Sequence, residues 1–183
     1  MGTIICLSSS YKEGGELMIG KRTIFVTFVF LVIILIGYAY SKNFVVNGGI
    51  ISIQEEYLKG KKFNIISSNG ISLSYVLDKE MLREIPCSIT WGIQNIDVQN
   101  YIGKNIDVYS YIVNNHKLDS YGDMNQTFVF LIICEKKIIG GYSIPYDSKP
   151  LYAGVYSIDG GTFEEVTGID YQEWINKWVK KYS

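Results

Sequence analysis

Residues 127–144 read TFVFLIICEKKIIGGYSI. The first eight, Thr127 to Cys134, are almost continuously apolar and rich in β-branched and aromatic side chains. A run of that length and composition suits a central strand. The polar EKK that follows turns the chain, and Ile138 to Ile144 supplies a hairpin partner. The fold therefore grows from an antiparallel pair.

Upstream, NIDVYSYIVNN (105–115) alternates. Ile106, Val108, Ser110 and Ile112 fall on one face, and Asp107, Tyr109, Tyr111 and Val113 on the other, so this segment is a strand too. NHKLDSYGDMNQ joins it to the central strand as a polar loop. Earlier still, FNIISS (63–68) and ISLSYVL (71–77) read as two strands around an Asn69-Gly70 turn. Ile50, Ile53, Tyr57 and Leu58 recur at helical spacing, and Gly60 offers a left-handed stop. They predict a short helix over about 49–59. Asp78 can cap a helix through KEMLREI that stops before Pro86. Asp97 can cap a turn through Tyr101, ended by Gly103.

Downstream, LYAGVYSI (151–158) reads as a further strand closed by DGG. Thr162 and Glu165 have the spacing of a capping box, and so do Asp170 and Glu173. The terminal segment places Tyr171, Trp174, Ile175, Trp178 and Val179 on one stripe of a helix, with Lys177, Lys180 and Lys181 toward its C-terminal end. Residues 47–183 thus read as one α+β domain, with an antiparallel sheet of four to six strands and helices largely on one face.

A second feature precedes that domain. Thr23 to Tyr40 is a run of eighteen residues without a charge. A bilayer core takes roughly 20 apolar residues as a helix, with a lower limit of about 17. Extended to Val46, the segment 23–46 is expected to be a transmembrane signal anchor whose partner is the lipid bilayer. Lys21 and Arg22 sit just before it, which predicts a cytoplasmic N-terminus and an exported C-terminal domain. The rival is a cleaved signal peptide, with Ala39-Tyr40-Ser41 as a loose small-x-small site and secretion after cleavage near Ser41. Residues 1–22 would be a cytoplasmic stub. Within it, Glu13 and Glu16 are unlike a signal n-region, whereas MIGKR from Met18 resembles one. Glu13 to Met18 can be encoded by a purine-rich ribosome-binding site followed by ATG, so Met18 is expected to be the start and residues 1–17 untranslated.

Composition excludes some classes. From Asn43 onward there are 13 Lys and Arg against 16 Asp and Glu. A nucleic-acid module would be basic, so no nucleic-acid partner is expected. Tyr is abundant, with fifteen in the chain, which fits half-buried sheet positions or a binding surface.

Candidate chemistry is sparse. Cys87 with His116, the one histidine, is the pair on which an envelope hydrolase or thiol enzyme would rest. The simpler reading makes Cys87 the start of an apolar strand and His116 part of a solvated loop. His116, Asp119 and Asp123 would be a weak metal set. Asp159, Glu164 and Glu165 could serve as acids in glycoside hydrolysis, but adjacent acids after a turn are more often solvated caps. The glycine pairs at 140–141 and 160–161 read as bulges or turns rather than phosphate loops. Cys87 and Cys134 could form a disulfide in an exported domain, or Cys134 could remain a buried thiol. No catalytic, cofactor or metal residue is assigned.

EYLKGKKFNIIS, YIGKNIDVYSYIVNN and KKIIGGYS with AGVYSIDGGTFEEVTG resemble segments of a family of small membrane-anchored, exported proteins of Gram-positive bacteria. The domain of that family has no assigned function. The resemblance implies export and an α+β domain, and it carries over no catalytic residues. The expected role is binding, sensing or regulation at the cell envelope, with an envelope protein or the cell wall as partner.

Overall fold

The computed structural model describes residues 49, 51–148 and 154–183. The chain divides into two compact units, Met1–Asn47 and Gly48–Ser183, and the described residues belong to the second. The anchor expected at 23–46, the stub before it and residues 151–153 of the LYAGVYSI strand lie outside them. No helix among the described residues is long and apolar enough to cross a membrane.

The first helix, α1, occupies 51–60. Its stop is two residues later than expected. Lys62, not Gly60, takes the left-handed conformation, with φ 67°. The Lys62 N–H then donates to the Lys59 carbonyl at 2.8 Å, and the Phe63 N–H to the Leu58 carbonyl at 3.2 Å. These two bonds make a Schellman cap, and Leu58 and Phe63, which flank it, share one buried cluster. Contact between those side chains decides where the helix ends. The buried face also differs from expectation: Ile53 is exposed, while Gln54 is buried and accepts a 2.5 Å hydrogen bond from the Tyr111 hydroxyl.

The two strands expected around Asn69-Gly70 are one. β1, Asn64–Val76, has 13 residues and pairs along its length with β2, Asn105–Asn114, which has 10. Three bulges in β1 absorb the difference, at register shifts between Ile65 and Ser67, Ser68 and Gly70, and Ile71 and Leu73. Gly70 has φ 74° at the middle one. The Asn-Gly pair therefore kinks a strand instead of reversing the chain.

After β1, the Asp78 carboxylate accepts the Met81 N–H at 2.7 Å and starts a 3-10 turn, Met81–Arg83. A helix that the sequence pattern did not reveal follows: α2, Cys87–Gly92. Asp97 caps a second 3-10 turn, Val98–Tyr101, as expected, and Gly103, with φ 82°, leads into β2. β3, Thr127–Cys134, and β4, Lys137–Pro145, form the expected hairpin. Glu135 and Lys136 make the turn, both left-handed at φ 51° and 65°. β5 is only Tyr156–Ser157. The sheet runs β1-β2-β3-β4-β5, all antiparallel.

Both faces of the sheet are packed. On one, Ile106, Val108, Ile132 and Cys134 meet Leu82, Trp91 and Val98 from the segment between β1 and β2. On the other, Tyr109, Tyr111, Val113, Val129, Leu131 and Ile133 meet Leu58 of α1 and Phe63. The continuous apolar run of β3 follows from this double burial. Most helices share the first face, and α1 covers the second.

Two helices close the chain. α3, Phe163–Thr167, opens on a complete capping box between Thr162 and Glu165. α4, Tyr171–Tyr182, has only half of one: Asp170 accepts from the Gln172 and Glu173 N–H groups, while the Glu173 carboxylate pairs with Lys177 at 2.6 Å. Its stripe ends on Tyr182, which is 2 % exposed, rather than Val179. The Trp174, Trp178 and Tyr182 rings follow one another at 4.8 and 4.7 Å. Trp178 Nε1 donates to the Leu82 carbonyl at 2.6 Å, which ties α4 to the first 3-10 turn.

Candidate functional site

A half-open cavity of about 240 Å3 lies against the first face of the sheet. Its floor is Val108 and Ile132, one from each central strand. Its walls are Tyr75 and Leu73 of β1, Tyr142 of β4, and Met81, Pro86, Cys87 and Thr90 from the segment that crosses the sheet. Leu73 is 52 % exposed and marks the mouth on the β1 side. The walls are placed by the register: Tyr75 stands beside Ile106, and Tyr142 beside Phe130. The Tyr142 ring stacks on Phe130 at 4.6 Å with an interplanar angle of 11°. β4 itself is held close to α2 by Gln94, whose amide donates to the Thr90 carbonyl at 2.6 Å and accepts the Gly141 N–H at 2.9 Å. A side chain at Gly140 would collide with that amide. The glycine pair at 140–141 accompanies a bulge opposite Ile132 and Ile133, as its sequence suggested.

Three titratable groups line this cavity, and all are held in their neutral forms. Burial pushes the Tyr75 and Tyr142 phenols up to about 12 and the Cys87 thiol up to about 11. The nearby Asp78 charge adds to the effect on Cys87. Trp91 Nε1 donates to the Tyr75 oxygen at 3.1 Å, which opposes the shift there without reversing it. Among the described residues no Asp, Glu, Lys, Arg or His lines the walls. The described lining therefore offers neutral hydrogen-bond donors on an apolar surface.

His116 belongs to another part of the molecule. It is 7 % exposed and its ring lies 4.7 Å from that of Phe63, on the second face. Its Nδ1 accepts the Leu118 N–H at 3.1 Å, so Nε2 carries the proton and donates to the Ile158 carbonyl at 2.9 Å. Burial lowers its pKa, partly offset by the Ile158 bond and the Asp119 and Asp159 charges. The loop is not the solvated one expected. Asp119 accepts the His116 N–H at 2.9 Å and the Thr127 hydroxyl at 2.8 Å, fastening it to β3.

The structure does not bring Cys87 and His116 together. Cys87 packs on the first face of the sheet, and His116 on Phe63 of the second. Cys87 is not the start of a strand either, since it opens α2. Asp123 is engaged by the backbone and hydroxyl of Ser148. Among the described residues no three His, Cys, Asp or Glu side chains gather where they could hold a metal. Asp159 pairs with Lys61 at 2.9 Å, and Glu165 with Lys117 at 3.0 Å, so these acids fasten turns at the surface. Cys87 and Cys134 are both free thiols.

Cys87 was visible as a candidate from sequence, but with the wrong companion. Tyr75 and Tyr142 were not singled out. Strand alternation places each on a definite face, but only the pairing order brings them to one cavity. The chain matches no family model, no curated protein and no solved structure.

Proposed function

We propose that residues 47–183 are a non-enzymatic binding domain of the bacterial cell envelope, held at the outer face of the membrane by residues 23–46. The cavity beneath α2 is its binding site. The observation that carries this reading is the chemistry of that cavity: apolar walls and four neutral donors, Tyr75, Cys87, Thr90 and Tyr142, with no ionised group among the described residues that line it. The eighteen-residue uncharged run and the basic pair before it support the topology. The resemblance to exported Gram-positive domains points the same way. An envelope hydrolase or thiol enzyme built on Cys87 and His116 finds no support in a protonated thiol and a histidine committed to backbone partners.

Topology is tested on the full chain with reporters fused after Ser183. Alkaline phosphatase should be active there and green fluorescent protein dark in a bacterial host. A bright fluorescent fusion with an inactive phosphatase overturns the assignment. A mature N-terminus at Lys42 would replace the anchored form with a secreted one.

A further inference from the structure

The ligand class of the cavity can be read from its walls, an inference that rests on the binding role proposed above. We infer that the cavity takes a compact, uncharged, largely aliphatic ligand whose carbonyl oxygen accepts hydrogen bonds from the Tyr75 and Tyr142 hydroxyls.

Size comes first. At about 240 Å3 the space is below the roughly 300–1,000 Å3 of sites for drug-sized molecules, so it suits a ligand, or the end of one, of on the order of ten non-hydrogen atoms. Shape and polarity follow from Leu73, Met81, Val108 and Ile132, which offer only apolar contact.

The polar groups set the rest. Tyr75 already accepts a hydrogen bond from Trp91 Nε1, so its own O–H is the group left to give, and accepting one bond strengthens the donation of the next. Among the described residues no hydrogen bond engages the Tyr142 hydroxyl, and its ring is fixed by the stack on Phe130. Cys87 adds a weak S–H donor from the α2 side. All three sides therefore offer protons, and the Thr90 hydroxyl in the same wall can do so too. A ligand with donors and no acceptor would leave these protons unpaired. One that brought a carboxylate would bury a charge where no cation is found among the described lining residues, which is disfavoured. A carbonyl or ester oxygen, with two lone pairs for two phenols, satisfies the site.

The test uses the full chain in lipid nanodiscs and three small probes at equal free concentration: methyl hexanoate, hexanoate at pH 8, and heptane. Occupancy is read as protection of Cys87 from alkylation, quantified on its own peptide by mass spectrometry. Saturation-transfer NMR on each probe provides a second readout. Methyl hexanoate should protect Cys87, and hexanoate should bind at least about tenfold more weakly. Tyr142→Phe should weaken the ester about tenfold, as expected for one lost hydrogen bond of roughly 1.4 kcal/mol, and leave heptane unchanged. Leu73→Trp, at an exposed position, should block the mouth to both without affecting the fold seen by circular dichroism. Hexanoate equal to the ester overturns the requirement for an uncharged ligand. Heptane equal to the ester, with no effect of Tyr142→Phe, overturns the role of the hydroxyls. No protection and no saturation transfer from any probe overturns the inference, while the reporter fusions still decide the envelope topology on their own.

Discussion

A methyl group on Gly92 would stand 2.3 Å from Cζ2 of Trp174, so α2 and α4 touch at a point with no space for a side chain. Gly92→Ala should cost roughly 1–3 kcal/mol, as overpacking usually does, measured by chemical denaturation. A variant as stable as the parent would mean that the helices are not this close. His116 makes a prediction about pH. Its folded pKa is lowered by burial from an ordinary value of about 6.5. As pH falls below that value the unfolded chain takes up the proton first, so stability should decline on acidification and be fully present above it. The chain has one histidine, so a single imidazole titration by NMR checks this. A midpoint above 6.5 would contradict it. At this scale the sequence was a partial guide. It marked Cys87 and His116 because their chemistry is scarce in the chain. It could not tell that His116 spends both ring nitrogens on backbone groups, since Leu118 and Ile158 contribute atoms that every residue has.

The hairpin between β3 and β4 turns on two non-glycine residues in left-handed conformations, Glu135 and Lys136. Each pays a steric cost of roughly 1–2 kcal/mol there, and Asn-Gly is the pair that tolerates the geometry best. Replacing Glu135 by Asn and Lys136 by Gly should stabilise the domain by about 1 kcal/mol, visible as a higher denaturation midpoint. A lower midpoint would show that the Lys104–Glu135 ion pair, lost in the same change, matters more than the backbone. Elements with local signals were legible. The caps by Asp97, Thr162 and Asp170 depend on side chains within three residues of the bonds they make, so spacing alone finds them. α2 has no such signal. Its N-cap position is Pro86, without a side-chain cap, and Ile89, Thr90 and Trp91 suit a strand as readily as a helix. Asn69-Gly70 was misleading for the opposite reason. The same residues serve a tight turn and a bulge, and the ten-residue partner strand, not the dipeptide, decides between them.

Across the whole domain, β3 is the member that both layers share. Leu131 is fully buried on the α1 side and Ile132 on the other. Leu131→Ala should cost about 2–5 kcal/mol and lower the unfolding midpoint equally by tryptophan fluorescence, which reports the layer of α2 and α4, and by far-UV circular dichroism. Separate midpoints would mean that the layers unfold independently. The apolar run of β3 announced a central strand, and the alternation of β2 announced its neighbour. The second covered face was harder to foresee, because Tyr109 and Tyr111 look like solvent-facing positions until α1 and Phe63 are folded against them. One consequence of the three bulges in β1 is felt outside the molecule. β1 is an outer strand of an open sheet, and Ile66, Ile71, Leu73 and Val76 on it are exposed. A flat strand of that composition would be a template onto which further copies could add, rung after rung. The extra residues Ile66, Asn69 and Ser72 break the edge into short, twisted pieces with no straight run of backbone groups to continue. The irregularity that fits β1 to its shorter partner thus also makes its outer edge a poorer template for a second copy than a flat strand would be.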